Sequence, residues 1–133
     1  MRAVLDPNVL ISSLLAPTGA PAHVVAAWLD GRFELVVSES LLAGLERAMA
    51  YPRLRERIAA ADADSFVGLL RRAGILAADP AGPSRRSQDA GDDYLVALAE
   101  NERALLVSGD RHLVELADRL PVRTPREFLE TLD

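Results

Sequence analysis

Short apolar runs alternate with longer stretches of helical periodicity along this chain, and that alternation limits its folds more than any other feature. Residues 2–5, 33–37, 75–78 and 104–107 are four or five residues long and rich in Val, Leu, Ile and Ala, the form of buried strands. Residues 8–15 and 20–30 read as a first helix pair. The second begins near Thr18, with Pro21 in its first turn and Gly31 stopping it. Ser38 is placed to cap a helix over residues 39–50, in which Leu41, Leu42, Leu45 and Met49 repeat at helical spacing. Pro52 starts a short helix through Ile58, and residues 62–73 carry Phe66, Leu69 and Leu70 on one face before Gly74 closes the turn. Helices follow over 90–102, with Leu95, Leu98 and Ala99, over 111–119, and from the Thr124–Pro125 cap through Leu132.

Strands that alternate with helices pair in parallel and bury both faces. The expected fold is therefore α/β, a three-layer α/β/α sandwich with a parallel sheet of four to five strands. The chain has 133 residues, 50% of them hydrophobic, enough to bury a core as a single domain over 1–133. Residues 79–88 have a loop composition and read as a connection within that domain. No apolar run reaches the roughly 20 residues of a membrane span, and no signal-peptide pattern precedes the first strand, so the reading is no membrane and a cytoplasmic location.

The absence of cysteine excludes disulfides, thiolate nucleophiles and sulfur-ligated zinc. Chemistry is left to oxygen, histidine and arginine groups. The net charge is −5, and all 15 basic residues are arginine. An acidic surface repels phosphate, so an enzyme of nucleic acids built on this chain needs a local basic rim or metal ions.

In an open parallel sheet, ligand sites form beyond the carboxyl ends of the strands. Asp6 ends the first strand, in Ala3-Val4-Leu5-Asp6-Pro7-Asn8, and Asp110 follows the fourth in Val107-Ser108-Gly109-Asp110. Asp89, Asp92 and Asp93 surround the start of the helix that leads into the fourth strand. Carboxylates gathered at one edge repel one another unless protons or cations occupy the cluster. Hard oxygen donors suit Mg²⁺ or Mn²⁺, which points to phosphodiester hydrolysis or phosphoryl transfer. Each acid also has a plainer reading. Asp6 before Pro7 is a good N-cap, and Asp89 and Asp110 are placed to cap the helices that follow them. His23, His112 and Trp28 read as surface or packing residues, and the arginines at 53, 55, 57, 85 and 86 as solvated faces or phosphate contacts.

The segments "MRAVLDPNVLISSLLAP", "FELVVSESLLAGLERAM", "DAGDDYLVALAENERALLVSGDRHLVEL" and "VRTPREFLETL", taken in order, resemble PIN-domain nucleases, in particular the bacterial group of toxins from toxin-antitoxin pairs. The resemblance spans essentially the whole chain. It implies a five-stranded parallel sheet and an acid cluster that binds Mg²⁺ or Mn²⁺ to hydrolyse RNA. Matched by position, Asp6, Asp92 and Asp110 are the first, third and fourth acids, and Asp93 stands beside the third as a further metal ligand. Asn8 and Ser108 match small polar residues that orient the first and fourth acids. An antitoxin protein and a homodimer are the partners implied.

The chain also departs from that pattern. The second acid of the family falls at Gly44, in Leu42-Ala43-Gly44-Leu45. Glu46 lies about 200° around the helix from it and does not replace it. Glycine in mid-helix costs about 1 kcal/mol relative to alanine, so local stability does not explain Gly44. Pro7 stands where threonine or serine is usual, and His112 where aspartate is common. Two readings result: a metal-dependent ribonuclease, or a degenerate PIN domain that binds a partner protein or RNA without cleavage. A third, a receiver-like domain phosphorylated on Asp6, lacks the lysine such a pocket uses, since the chain has none.

Overall fold

The structure is a computed structural model that describes residues 1–81, 90–115 and 121–133, the side chains of 90–92 and 111–112 excepted. Its strands are β1 (Arg2–Leu5), β2 (Glu34–Val37), β3 (Ile75–Leu76), β4 (Leu105–Val107) and β5 (Val122–Arg123). The helices are α1 (Pro7–Leu15), α2 (Ala20–Leu29), α3 (Glu39–Met49), α4 (Pro52–Arg55), α5 (Ala60–Ala73), α6 (Ala90–Asn101), α7 (Arg111–Val114) and α8 (Pro125–Leu132). The five strands form one sheet in the order β3-β2-β1-β4-β5, and every pairing is parallel. The expected α/β sandwich is the fold observed.

The apolar runs are continuous because the central strands are covered on both faces. Val4, Leu5, Val36, Val37, Leu106 and Val107 are completely buried. The helices contribute their apolar stripes: Val24, Val25 and Trp28 from α2, Leu41, Leu42, Leu45 and Met49 from α3, Phe66, Val67 and Leu70 from α5. Helix α8 adds Phe128, whose ring meets that of Phe33 edge-on with centroids 4.8 Å apart. Among the described residues no single helix is long and apolar enough to cross a membrane. Helices α1 and α2 pass such a test only as a pair bent by 99°, and both press apolar residues into the core.

The elements differ from the sequence pattern mainly at their ends. Strand β3 is two residues rather than four, because only β2 pairs with it and the edge leaves Leu76 half exposed. Helix α4 stops at Arg55, yet Ile58 beyond it is still buried. Helix α5 begins two residues before Asp62, and α7, expected over 111–119, ends at Val114 with a turn at Glu115, residues 116–120 lying outside the described residues. Strand β5 had no apolar run to announce it. It exists by pairing with β4, Leu106 opposite Val122 and Val107 opposite Arg123.

Strand order decides where a site belongs. From β1 the chain moves outward to β2 and β3 on one side, then returns to β4 and β5 on the other. The reversal lies between β1 and β4, where connecting segments diverge and open a crevice at the carboxyl ends.

Candidate acidic site at the carboxyl edge

Asp6 is the first residue past β1 and is 4% exposed. Its backbone N–H donates to the Val107 carbonyl at 2.9 Å, so it lies level with the end of β4. Pro7 occupies the first helical position, where a missing N–H is without cost. The next free N–H, that of Asn8, donates to Asp6 Oδ1 at 2.9 Å, which makes Asp6 the N-cap of α1. Its other oxygen, Oδ2, accepts from Ser108 Oγ at 2.8 Å. A carboxylate has about four lone-pair positions, and these two hydrogen bonds, one to each oxygen, fix its plane.

Ser108 is completely buried at the end of β4. Its backbone N–H bonds to the Arg123 carbonyl of β5 at 2.9 Å. Its hydroxyl donates to Asp6 and accepts from the Asp110 N–H at 3.0 Å. One hydroxyl thus sets the Asp6 carboxylate and the backbone that carries Asp110, residues 104 positions apart in sequence. Asp110 is half-buried, and its carbonyl accepts from the Val114 N–H of α7 at 3.0 Å.

Asp93 is buried in α6, 2% exposed. The backbone of Asp92 lies in the same first turns of α6, while its side chain, like the whole of Asp89, lies outside the described residues. Among the described residues, no group of three acidic or histidine side chains is arranged to hold a metal ion. The described donors at this edge are oxygens, the carboxylates of Asp6 and Asp110 with the Ser108 hydroxyl between them, a set whose chemistry fits a hard divalent cation. Asn8 orients Asp6 through its backbone, and its own side chain is exposed. His23 is exposed and Trp28 is buried in the core, as packing and surface readings required.

A cleft of about 380 Å³ opens beside Asp6, between α1, α3 and α6, with Asn8, Ser40, Gly44, Arg47 and Tyr94 in its walls. Asn8 also borders a second depression, of about 300 Å³, that contains Gly109 and Asp110. Gly44, where the resemblance places a second acid, therefore faces the same cleft as Asp6. Outside the backbone of α3 and the flanking residues, the nearest atom to a side chain begun at Gly44 is Arg47 Nη2, 3.8 Å away.

The far wall holds a polar network that sequence reasoning missed. The Tyr94 hydroxyl, from α6, donates to the Asp79 carboxylate and meets the Ser38 hydroxyl at the end of β2. Ser40 Oγ donates to the other Asp79 oxygen at 3.0 Å, and Ser38 Oγ caps α3 by accepting from the Leu41 N–H at 3.2 Å. Burial pushes the Asp79 carboxyl up, but hydrogen bonds from Tyr94, Ser38 and Ser40 outweigh it and hold the group below its ordinary value. Burial, and then the bond to Asp79, raises the Tyr94 phenol. The only signal in the sequence was the serine pair at 38 and 40, flanking Glu39 at a helix start. It said nothing of Asp79 or Tyr94, which are distant in the chain.

A family model described as PIN domain matches residues 2–112. An uncharacterized protein of Methanocaldococcus jannaschii is 23% identical over 145 residues, an alignment that covers 100% of this chain and 92% of that protein. Among solved structures, PAE2754 from Pyrobaculum aerophilum is similar with a TM-score of 0.66 at 17% identity, over 99% of this chain and 89% of that one. VapBC2 from Rickettsia felis, crystallised bound to a DNA fragment from their promoter, is similar with a TM-score of 0.64 at 13% identity, over 93% of this chain and 98% of that one. At such identities the two structures share the fold.

Proposed function

The chain belongs to the PIN-domain family, and from that membership we propose that it is a ribonuclease dependent on Mg²⁺ or Mn²⁺, the toxin of a toxin-antitoxin pair. The observation that carries the reading is the hydrogen-bonded chain Asp6–Ser108–Asp110 at the point where the strand order reverses. Asp6, Asp92 and Asp110 are the residues that hold the cation, with Asp93 beside them. When bound, a divalent cation there activates water and offsets charge on the phosphodiester.

The chain's own residues do the positioning. Ser108 and the Asn8 N–H keep the Asp6 carboxylate fixed, because both donate to it. Burial of Asp6 limits competing water, which strengthens every charge interaction at the edge. The fold shared with VapBC2 supports the toxin-antitoxin placement. An antitoxin partner, a homodimer, a single domain over 1–133 and a cytoplasmic location complete the proposal.

Purified protein is expected to cleave single-stranded RNA with Mn²⁺ or Mg²⁺ and to stop on addition of EDTA. Asp6→Asn is expected to lower the rate at least a hundredfold, since it removes a ligand charge and a hydrogen-bond acceptor together. Cleavage that persists in EDTA and in Asp6→Asn refutes the metal mechanism.

One observation favours a second reading, a degenerate PIN domain that binds RNA or a partner protein without cleavage. Gly44 leaves open the wall of the cleft where the family's second acid belongs. If only Gly44→Glu acquires metal-dependent cleavage, this second reading replaces the first.

A further inference from the structure

We propose that Arg47 is a phosphate-binding residue of this cleft, and that Gly44 is the gap that lets an RNA phosphate reach it. The inference rests on the proposal that RNA is the substrate. It concerns which side chain grips the backbone, a role that neither the family match nor the acid cluster assigns.

Arg47 stands three residues after Gly44 on α3, on the same helix face. Long helical side chains lean toward the helix N-terminus, and this one reaches back until Nη2 is 3.8 Å from where a Gly44 Cβ would be. Apart from the backbone of α3 and the residues flanking Gly44, no other atom among the described residues lies within 4 Å of that point. The guanidinium therefore lies along the wall of the Asp6 cleft, above open space. A plainer role for an arginine in the last turn of a helix is to complement the dipole. That role needs only the charge, and gives no reason for a glycine beneath it.

Three other arginines are committed: Arg2 pairs with Glu34 and Glu102, Arg32 with Asp133, and Arg71 makes a two-pronged bond to Glu39. Arg47 is the arginine, among the described residues, that lines the Asp6 cleft. The Arg47 side chain has no hydrogen bond or ion pair among the described residues. A chain of net charge −5 that gathers acids at one edge repels a polyanion there. An uncommitted guanidinium at the mouth reverses that locally, and its planar fork matches two phosphate oxygens. A glutamate at position 44 would lie against the same guanidinium and neutralise it. Glycine, at a cost of about 1 kcal/mol in helix propensity, leaves both the charge and the space.

The test uses fluorescence anisotropy of a fluorescein-labelled single-stranded RNA of mixed sequence, in EDTA, across a salt series. The parent is the Asp6→Asn protein, so turnover is absent. Arg47→Ala is expected to weaken binding about tenfold, the loss of one charge-assisted contact. The slope of log affinity against log salt should fall by about 0.7, one phosphate contact on a single strand. Arg47→Lys should keep that slope and recover part of the affinity. Gly44→Glu should weaken binding as Arg47→Ala does, and should add nothing further in the Arg47→Ala background. Arg72→Ala, on the surface of α5, is the control and should behave as the parent.

If Arg47→Ala binds with the affinity and slope of Arg72→Ala, the assignment of Arg47 is overturned, while Asp6-dependent cleavage by the wild type leaves the nuclease reading standing. A wild-type protein that neither binds nor cleaves the RNA overturns both.

Discussion

The Tyr94 hydroxyl ties three segments together, α6, the end of β2 and the stretch after β3, through Ser38 and Asp79. Its chemistry fixes a pH dependence. Asp79 is held below its ordinary 3.8, so the stability it contributes is present above that value and is lost as pH falls through the lowered one. Tyr94 is held above its ordinary 10.0, so its contribution is complete below 10.0 and is lost as pH rises through the raised value. Thermal melts of Tyr94→Phe across pH should show a shallower loss at both extremes than the wild type. Superimposable profiles would mean that the network carries no linkage. At this scale the sequence was most informative about single roles. It identified Asp6 as a cap or a ligand, and the Asn8 N–H and the Ser108 hydroxyl that bond to it show that the cap geometry also aims the carboxylate. It put Asn8 beside the acid without saying which of its groups acts; the backbone N–H is what bonds to Asp6. Tyr94 and Asp79 were not legible, because a hydrogen bond between distant residues leaves no periodicity.

Helices with strong terminal chemistry were the easiest elements to read. Thr124 Oγ1 accepts from the Glu127 N–H at 3.1 Å, and Glu127 Oε1 accepts from the Thr124 N–H at 2.9 Å, a reciprocal cap legible in Thr124-Pro125-Arg126-Glu127. Thr124→Ala should cost about 1 kcal/mol and lower the melting temperature by roughly 4 °C, measurable by calorimetry. An unchanged melt would show that packing of Phe128 against Phe33, not the cap, sets α8. Gly31 was equally legible. It ends α2 with φ at 79°, a left-handed turn that side chains with a Cβ resist. The short edge strands were not legible. A run of two residues, Ile75–Leu76 or Val122–Arg123, is below any periodicity, and only pairing to a longer neighbour makes it a strand.

For the whole molecule, the deciding fact is the adjacency of β1 and β4. It joins Asp6 to Ser108 across the sheet and puts the start of α6, with Asp93 buried in it, against the same edge. If a divalent cation binds there, it stabilises the folded state by mass action, by about 2.7 kcal/mol at a hundred times the dissociation constant. Differential scanning calorimetry should therefore show a rise of several degrees with Mn²⁺ for the wild type and little for Asp6→Asn. Equal shifts in both proteins would place the cation elsewhere. By itself, the sequence determined the alternation of strands and helices, the apolar faces, the caps, and the family by the order of its motifs. These follow from local chemistry, since burial on both strand faces and termination by Pro, Gly and Ser are written residue by residue. Only the tertiary structure decided which strands are neighbours, and with that the Asp6–Ser108–Asp110 chain, the network at Tyr94 and the placing of Gly44 and Arg47 in one cleft with Asp6. Such contacts depend on where the chain returns to, and in a parallel sheet each neighbouring strand is separated from its partner by a crossover that no short-range pattern spans.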